Sequence, residues 1–440
     1  MLALNRFRCE PIAFAAGWPW GLREGQLRRE DGYFFSIVGL RALGNPAGFP
    51  VLEQPIISQP TKAINGFLVW WGTAGLEILF QARVEPGNVG GMQLAPTVQS
   101  TQANYEQRHG GRPTAFIAPF LQPGARRVLY RGLQSEEGSR YHGKYNLNLI
   151  IEATPADIEA ARCDVFTVGA ETLRQLVALD HVINTDARAL LFFLDWTLLC
   201  ADHKPFASHD DPIHRALARS FAHLDADRGT SPLDAVRCLM HARATLALRT
   251  RPIALDELGN WRLTETTLCE TVDELGFRVS LFDVCADQRE VGRWTQPLVC
   301  SDGDGRIVLF CRIRDGVLEF LCSLDYELGY LEGAQLTASV SVSPGKRPAL
   351  LKESERVLLD AAERATGDAI LVDCRQSEEG GRFYHDVNRY QIILDETLVA
   401  GRDGDDALWI TLAQLRTLST ISSIVSIELR CILSLLVAWL

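Results

Sequence analysis

The stretch Leu133-Gln-Ser-Glu-Glu-Gly-Ser-Arg-Tyr-His-Gly-Lys-Tyr-Asn-Leu-Asn148 returns later in the chain as Gln376-Ser-Glu-Glu-Gly-Gly-Arg-Phe-Tyr-His-Asp-Val-Asn388. At an offset of 242 residues, positions 134–152 match positions 376–394 at nine of nineteen places. The same offset, without a gap, aligns Gln54-Pro55 with Gln296-Pro297 and Leu173-Arg174 with Leu415-Arg416. One register held over so many blocks indicates a tandem duplication.

The length of the repeat indicates what was duplicated. A unit of roughly 190 residues is a whole domain, far longer than the ~20–50-residue units that stack into solenoids. We therefore expect a first copy over residues 1–198, a helical linker over 199–252 and a second copy over 253–440. Because short apolar runs alternate with few long helices, each copy is predicted to be α+β, with a mixed or antiparallel sheet flanked by helices.

Periodicity predicts individual elements within this plan. In the first copy we expect hairpin strands joined at 72–75 and a turn at Pro86-Gly87-Asn88. The predicted strands span 33–40, 66–71, 76–84, 128–133 and 140–151. The predicted helices span 170–178, 185–194, 212–224 and 232–248, and the apolar C-terminus from 424 to 440 is read as a buried helix.

Composition limits the classes of function. The net charge of −11 argues against a general nucleic-acid binder, which needs a basic surface. The eleven cysteines are odd in number and form no Cys-x-x-Cys pair, so reduced thiols in a cytoplasm are the simpler interpretation. Charged residues interrupt the apolar N-terminus, which predicts no signal peptide, and Glu428 and Arg430 argue against a membrane span at the C-terminus.

Alternate residues of the predicted strand 140–151 are polar: Arg140, His142, Lys144, Asn146 and Asn148. An ordinary solvent-facing surface would also alternate in this way. Asparagine is depleted in strands, however, and two asparagines beside two cations form a donor-rich face that suits an anionic, oxygen-rich ligand. The adjacent Glu136-Glu137 pair could supply a carboxylate base, although a charged turn would carry the same residues.

Two stretches invite a metal interpretation and do not support it. Residues 301–305 lack the glutamate and spacing of a calcium loop, so a plain hairpin turn is expected there. His203, His209, Asp210, Asp211 and His214 lie in the unrepeated linker without ligand spacing, which favours a solvated loop. No metal site is predicted.

Longer motifs resemble the NDP-hexose 2,3-dehydratase family of deoxysugar biosynthesis, including antibiotic sugars. The matching segments are residues 81–88, 94–105, 133–148, 184–188, 289–297 and 376–388. The resemblance implies a homodimer whose halves each adopt a Nudix-hydrolase-like fold with a pocket for a dTDP-sugar, one pocket being catalytic while the other need not be. The implied substrate is dTDP-4-dehydro-6-deoxyglucose, which loses its C2 hydroxyl to give a 3,4-diketo-2,6-dideoxy sugar for a ketoreductase. No cofactor is implied.

The implied reaction suggests roles for particular residues. The C3 proton is acidic because it lies next to the C4 carbonyl, so a base must remove it while donors hold the enolate oxygen. We expect Glu136 or Glu137 as the base, Lys144 and Asn146 as donors, and His142 or Tyr145 as the acid that protonates the departing hydroxyl. The predicted substrate-binding residues are Arg83, Asn88, Thr101, Gln102, Asn104, Tyr105, Gln134, Ser135, Asn146, Asn148, Trp294, Lys346, Ser377 and Arg382.

The two copies depart from the family pattern at different places. The tryptophan expected two residues before Gln-Pro is Trp294 in the second copy but Leu52 in the first. The first copy keeps Pro-Thr-Val-Gln at 96–99, where the second has Ala-Ser-Val-Ser at 338–341. His142 also stands where the second copy has Tyr384. These differences leave open which pocket works.

Two other functions remain open. A Nudix-type pyrophosphatase would share the implied fold, but Gly132 and Ser135 occupy two carboxylate positions of its metal-binding helix. A non-catalytic nucleotide-sugar-binding subunit would tolerate the changes at Leu52 and His142.

Overall fold

The computed structural model describes residues 6–14, 18–43, 51–73, 75–160, 165–207, 210–224, 230–246, 248–272, 274–398 and 407–440. The strands of the first half are β1 (Phe7–Ile12), β2 (Trp20–Arg23), β3 (Gln26–Arg29), β4 (Ser36–Ala42), β5 (Glu53–Ser58), β6 (Ala63–Gly72), β7 (Gly75–Val84), β8 (Met92–Pro96), β9 (Val98–Ser100), β10 (Val128–Ser135), β11 (Tyr141–His142), β12 (Tyr145–Glu152) and β13 (Val165–Gly169). The second half contains β14 (Thr250–Ile253), β15 (Trp261–Leu263), β16 (Thr267–Glu270), β17 (Phe277–Ala286), β18 (Arg293–Ser301), β19 (Gly305–Arg314), β20 (Val317–Tyr326), β21 (Ala334–Thr337), β22 (Val340–Val342), β23 (Ile370–Ser377), β24 (Val387–Leu394) and β25 (Ala407–Ile410).

Helices are fewer than strands. They are α1 (Gln102–Tyr105), α2 (Ala118–Leu121), α3 (Pro155–Ala160), α4 (Ala170–Val177), α5 (Thr185–Phe193), α6 (Pro212–Ala222), α7 (Pro232–Leu246), α8 (Glu353–Arg364), α9 (Leu412–Leu418) and α10 (Ile427–Ser434). The prediction of a mixed α+β protein is therefore confirmed. No helix in the described ranges is long and apolar enough to cross a bilayer.

Two seven-stranded mixed sheets lie at the centre of the molecule. One has the order β10-β12-β6-β7-β13, with β9 on β6 and β8 on β7. The other has the order β23-β24-β19-β20-β21, with β22 on β19 and β25 on β20. In each sheet one pair is parallel, β12 with β6 and β24 with β19. Every strand of the second sheet begins 242 residues after a strand of the first that makes the same pairings.

Two smaller sheets exchange a strand between the halves. The first half contributes β2-β3-β4-β5, and β14 of the second half pairs with β4. The second half contributes β15-β16-β17-β18, and β1 of the first half pairs with β17. Each half therefore completes a sheet of the other, and the backbone hydrogen bonds of these edges run between the halves.

The main core lies between the two large sheets and contains helices α5 and α10, which pack against each other. Both helices are buried on nearly all sides, as expected for helices inside a core rather than on its surface. Each begins at a side-chain cap: Asn184 accepts from the Ala187 amide, and Ser426 accepts from the Leu429 amide. The predicted buried C-terminal helix is α10, followed by a 3₁₀ turn over Leu435–Trp439.

Two local predictions were wrong. The strand expected over 140–151 is broken at Gly143, which has φ of 56°. Residues before the break pair with β5 in a small sheet, and residues after it form β12 in a large sheet. The expected hairpin turn at 301–305 instead connects β18 of a small sheet to β19 of a large one. In both cases the chain passes from one sheet to another. The alternation of polar and apolar residues does not encode such long-range strand pairing.

Candidate active site

A cavity of about 320 Å³ lies between the two halves. Its floor comes from the first large sheet and includes Asn65 of β6, Arg83 of β7 and Asn146 of β12. Its wall comes from the second half and includes Trp294 of β18 and Arg382 of the loop after β23. Because side chains alternate along a strand, Asn146 enters the cavity while its neighbours in β12 point to the other face.

The second large sheet carries a corresponding pocket of about 70 Å³. Asp325, Glu327, Ser341, Ser343 and Lys346 line it at positions 242 residues after Arg83, Glu85, Gln99, Thr101 and Asn104 of the larger cavity. Its wall comes from the first half, where Gln54, Ser139 and Arg140 lie 242 residues before Gln296, Gly381 and Arg382. Each pocket thus takes its floor from one half and part of its wall from the other.

This exchange of walls decides which pocket kept the family pattern. Trp294 lines the cavity whose floor carries the Pro-Thr-Val-Gln segment at 96–99. The smaller pocket combines the Ala-Ser-Val-Ser segment at 338–341 with Val51 and Gln54, the residues on either side of Leu52 and Glu53, and no tryptophan of the described chain lines it. The departures that seemed to be spread over both copies therefore meet in one pocket, and the larger cavity keeps both features.

Paired loops hold the walls in place. The Gly87 amide donates to the Gly380 carbonyl over 2.8 Å, and the Gly329 amide donates to the Gly138 carbonyl over 2.8 Å. A Cβ atom on Gly87 would lie 1.6 Å from the Phe383 carbonyl oxygen, so only glycine allows this approach. The predicted turn at 86–88 is therefore a contact between halves that positions the loop containing Glu379.

Ionisable side chains meet at one end of the larger cavity. The Lys144 ammonium donates to the Thr61 carbonyl over 2.5 Å, and Asn146 donates to Glu136 Oε1 over 2.6 Å. Burial lowers the pKa of Lys144 to about 8. Burial, followed by the nearby charge of Glu379, raises the pKa of Glu136 to about 7. This end therefore offers proton donors and acceptors that can exchange protons near neutral pH.

Asp186 belongs to the same cluster. It lies at the start of α5 and accepts a hydrogen bond from Asn65 Nδ2 over 2.5 Å. Burial, reinforced by the charges of Glu379 and Glu136, raises the pKa of Asp186 well above its usual range. The acidic groups thus repel one another, and Lys144 is the ammonium that lies among them.

The other part of the cavity is aromatic and cationic. The Arg289 guanidinium lies 5.8 Å from the centroid of the Trp294 ring. The indole of Trp294 donates to Gln296 Oε1 over 2.8 Å, which fixes the ring plane. Burial alone would raise the pKa of Glu290, but Arg289 and Arg83 outweigh it and lower that pKa to about 2. An anchored aromatic ring beside guanidinium groups suits a base joined to phosphates.

The structure divides the predicted site residues into two groups. Those that line the larger cavity are Arg83, Thr101, Asn104, Lys144, Asn146, Trp294 and Arg382, and Lys346 lines the smaller pocket. Those that line neither pocket are Asn88, Gln102, Tyr105, Gln134, Ser135, Asn148 and Ser377, together with Glu136, Glu137, His142 and Tyr145. Of this second group, Glu136 reaches the cavity through its hydrogen bond to Asn146.

Gln134, Ser135 and Ser377 join the halves. Gln134 donates to the Ser419 carbonyl over 2.9 Å, and Ser135 donates to Gln335 over 3.0 Å. Ser377 accepts a hydrogen bond from Gln93 and offers its carbonyl to Arg188. These hydrogen bonds run between the two halves. The repeated segment therefore has a structural role at the interface between the halves, and it also carries the glutamates that follow.

The remaining predicted residues have other contacts. Asn88 packs against Gly380, and Asn148 donates to the Asn146 carbonyl. Gln102 donates to Glu106 at the surface, and Tyr105 packs beside the first large sheet.

Three predicted catalytic residues lie away from the larger cavity. The Tyr145 hydroxyl donates to Glu332 and accepts from Ser423, on the face of β12 opposite to Asn146. His142 precedes the break in the strand and pairs with β5. Glu137 lies near Glu378, Glu428 and Arg140, with a pKa raised by burial and by those carboxylates.

Sequence reasoning missed several lining residues, above all Glu379, Asp186 and Asn65. Two signals were available. Glu379 is the counterpart of Glu137 in the repeated stretch, and Asp186 lies inside the family motif at 184–188. Glu379 was overlooked because each copy was expected to build its pocket alone.

In the described part of the chain, no three His, Cys, Asp or Glu side chains are placed to hold a metal ion. His209 of the linker lies outside the described residues.

Comparison with known proteins covers nearly the whole chain. The family described as NDP-hexose 2,3-dehydratase matches residues 2–194 and again residues 234–436. The chain is 34% identical to dTDP-4-dehydro-6-deoxy-alpha-D-glucopyranose 2,3-dehydratase of Streptomyces violaceoruber, over 98% of this chain and 94% of that protein. It is 33% identical to the protein of the same name from Saccharopolyspora spinosa, over 98% of this chain and 88% of that protein.

Proposed function

The chain belongs to the NDP-hexose 2,3-dehydratase family, and from this membership we propose that it is a hydro-lyase acting on dTDP-4-dehydro-6-deoxyglucose. It removes the C2 hydroxyl and gives the 3,4-diketo-2,6-dideoxy sugar. The observation that carries this proposal is the larger cavity, where an anchored tryptophan and cations lie in the same space as Lys144, Asn146 and a carboxylate cluster. The first group suits a nucleoside diphosphate, and the second suits proton transfer at a keto sugar.

Chemical steps follow from the substrate. Loss of the C3 proton forms an enolate across C3 and C4, and expulsion of the C2 hydroxyl then gives an enol that becomes the diketone. Lys144 and Asn146 are donors that can stabilise the enolate oxygen. Removal of the proton and protonation of the hydroxyl require a base and an acid, and the cluster supplies Glu136 and Glu379 beside each other.

Binding of the nucleotide is assigned to the wall and its rim. Trp294 offers one ring face for the thymine while Arg289 lies near the ring, and Thr101 and Asn104 lie at the same cavity. Arg83 and Arg382 also line the cavity and are the candidates for the diphosphate. The volume of about 320 Å³ lies within the range of small-molecule sites.

The finer architecture is also a proposal. We propose that the halves descend from one Nudix-hydrolase-like domain, with copies at 1–198 and 253–440 joined by a helical linker at 199–252. The shared strand order at an offset of 242 residues and the doubled family match support this proposal. A homodimer, a cytoplasmic location and a ketoreductase that consumes the diketone complete it; ten free cysteines in the described chain support a reducing compartment.

The test is incubation of the purified protein with dTDP-4-dehydro-6-deoxyglucose and a ketoreductase that traps the unstable diketone. We expect a trapped product that has lost the elements of water, detected by mass spectrometry. Release of dTMP would instead indicate a pyrophosphatase, and tight binding without turnover would indicate a non-catalytic binding subunit.

A further inference from the structure

Tyr141 and Phe383 occupy corresponding positions in the two copies and differ by one hydroxyl group. Tyr141 is 2% exposed, and its hydroxyl donates to Glu379 Oε2 over 2.5 Å. The two rings meet edge to face, with centroids 6.0 Å apart. Because Phe383 has no hydroxyl, it cannot make this hydrogen bond to Glu137, the counterpart of Glu379. The asymmetry thus favours the carboxylate that lines the larger cavity.

The hydrogen bond has two consequences for Glu379. It fixes one carboxylate oxygen, and a hydroxyl that donates to a carboxylate stabilises negative charge there. Burial, followed by the charge of Glu379, raises the pKa of Tyr141 well above its usual range, so the hydroxyl keeps its proton and remains a donor. Glu379 Oε1 makes no hydrogen bond to any described side chain and belongs to a residue that lines the cavity.

We infer that Glu379, which reaches the cavity from the second half, is the base that removes the C3 proton, and that Tyr141 is its positioning residue. The inference rests on the proposed dehydration. Glu136 is then the acid: Glu379 takes the C3 proton, and the C2–O bond breaks as Glu136 gives its proton to the leaving hydroxyl, which departs as water. The enol proton is lost as C2 gains one, and one proton passes from Glu379 to Glu136 to restore the enzyme.

The roles of the two carboxylates differ for a physical reason. Among the described residues, the Glu136 carboxylate accepts a hydrogen bond only from the neutral Asn146 amide. Its burial and the neighbouring Glu379 outweigh the charges of Arg430 and Lys144, which favours the protonated form of Glu136. Two interacting carboxylates in different surroundings can supply one base and one acid.

Exchange of the C3 proton with solvent and elimination of water can be measured separately. The full-length protein and its variants are incubated with dTDP-4-dehydro-6-deoxyglucose in D₂O, with deuterium at C3 followed by NMR and trapped product by mass spectrometry. In Glu379→Gln, the rates of C3 proton exchange and of water loss should both fall by about 10²–10⁴-fold. Glu136→Gln should no longer eliminate water but should still exchange the C3 proton with solvent, because the enolate forms and is reprotonated.

The Tyr141→Phe variant tests the positioning role. We expect kcat to fall by about 10–100-fold with KM within about threefold of the native value. Tyr130→Phe, which removes a hydroxyl that accepts from Gln134 elsewhere in the first half, is the matched control and should keep native kcat. Circular dichroism and dTDP binding check that each variant is folded.

Several results would overturn the inference while the dehydration stands: native C3 exchange in Glu379→Gln, loss of C3 exchange in Glu136→Gln alone, or native kcat in Tyr141→Phe. A native protein that neither exchanges nor loses water would refute the proposed function, and the inference with it.

Discussion

Replacement of Trp294 by leucine would give the second half the residue that the first half has at the corresponding position, Leu52. Trp294 is held by its hydrogen bond to Gln296, and Arg289 lies over its ring. Stacking of a base on an aromatic ring contributes about 1–3 kcal/mol, and leucine keeps part of the apolar contact. We therefore expect a loss of about 1–2 kcal/mol, which raises the Kd for dTDP roughly 5- to 30-fold.

Isothermal titration calorimetry with dTDP measures this effect directly. Trp294→Phe keeps an aromatic face and should retain most of the affinity, which separates stacking from a general disturbance of the wall. Leu52→Ala changes the corresponding position of the first half, which lines neither pocket, and should leave the Kd unchanged. If Leu52→Ala weakened binding and Trp294→Leu did not, the exchange of walls between the halves would be refuted as the basis of nucleotide binding.

Three further predictions concern the reaction, the stability and the number of ligands. Lys144→Ala should lower kcat by about 10²–10³-fold in stopped assays, and native kcat should fall as pH rises from 7 to 8, where Glu136 and then Lys144 lose their protons. Burial, followed by the charge of Glu428, raises the pKa of Glu327 to about 8, so the folded state keeps a proton that the unfolded chain releases near pH 4.5, and stability declines between these values. Glu327→Gln should remove roughly 3–4 kcal/mol of that decline in denaturant titrations at pH 5 and pH 8. Calorimetry should find one dTDP per chain, because a pocket of about 70 Å³ is far below the size of ligand sites.

Local features of the fold could be predicted from the sequence, and long-range pairings could not. Apolar runs predicted β6, β7, β10 and the second part of the 140–151 strand in the first large sheet, whereas the short strands β8, β9 and β13 were not predicted. The break at Gly143 was missed because five polar residues alternate across it without interruption. The exchange of β1 and β14 was also missed, because a repeat in the sequence does not indicate whether a strand pairs within its own half or with the other half.

The candidate site shows the same division. Lys144 and Asn146 were identified because their residue types are unusual on a strand, and the cavity contains both. Trp294 and Arg382 were found as residues but attributed to the pocket of the second copy. The assumption that a repeated domain builds its own pocket failed, because the loop after β23 crosses to the first half, where the Gly87 amide bonds the Gly380 carbonyl.

Exchange of walls explains why neither half could function alone. A single half would have the floor with Lys144 but would lack Trp294, Arg382 and Glu379. It would also leave a sheet edge unpaired where the exchanged strand is missing, and unpaired edges promote aggregation. A loss of binding features in the smaller pocket would leave the second half still needed by the larger cavity, whose floor comes from one half and whose Trp294, Arg382 and Glu379 come from the other.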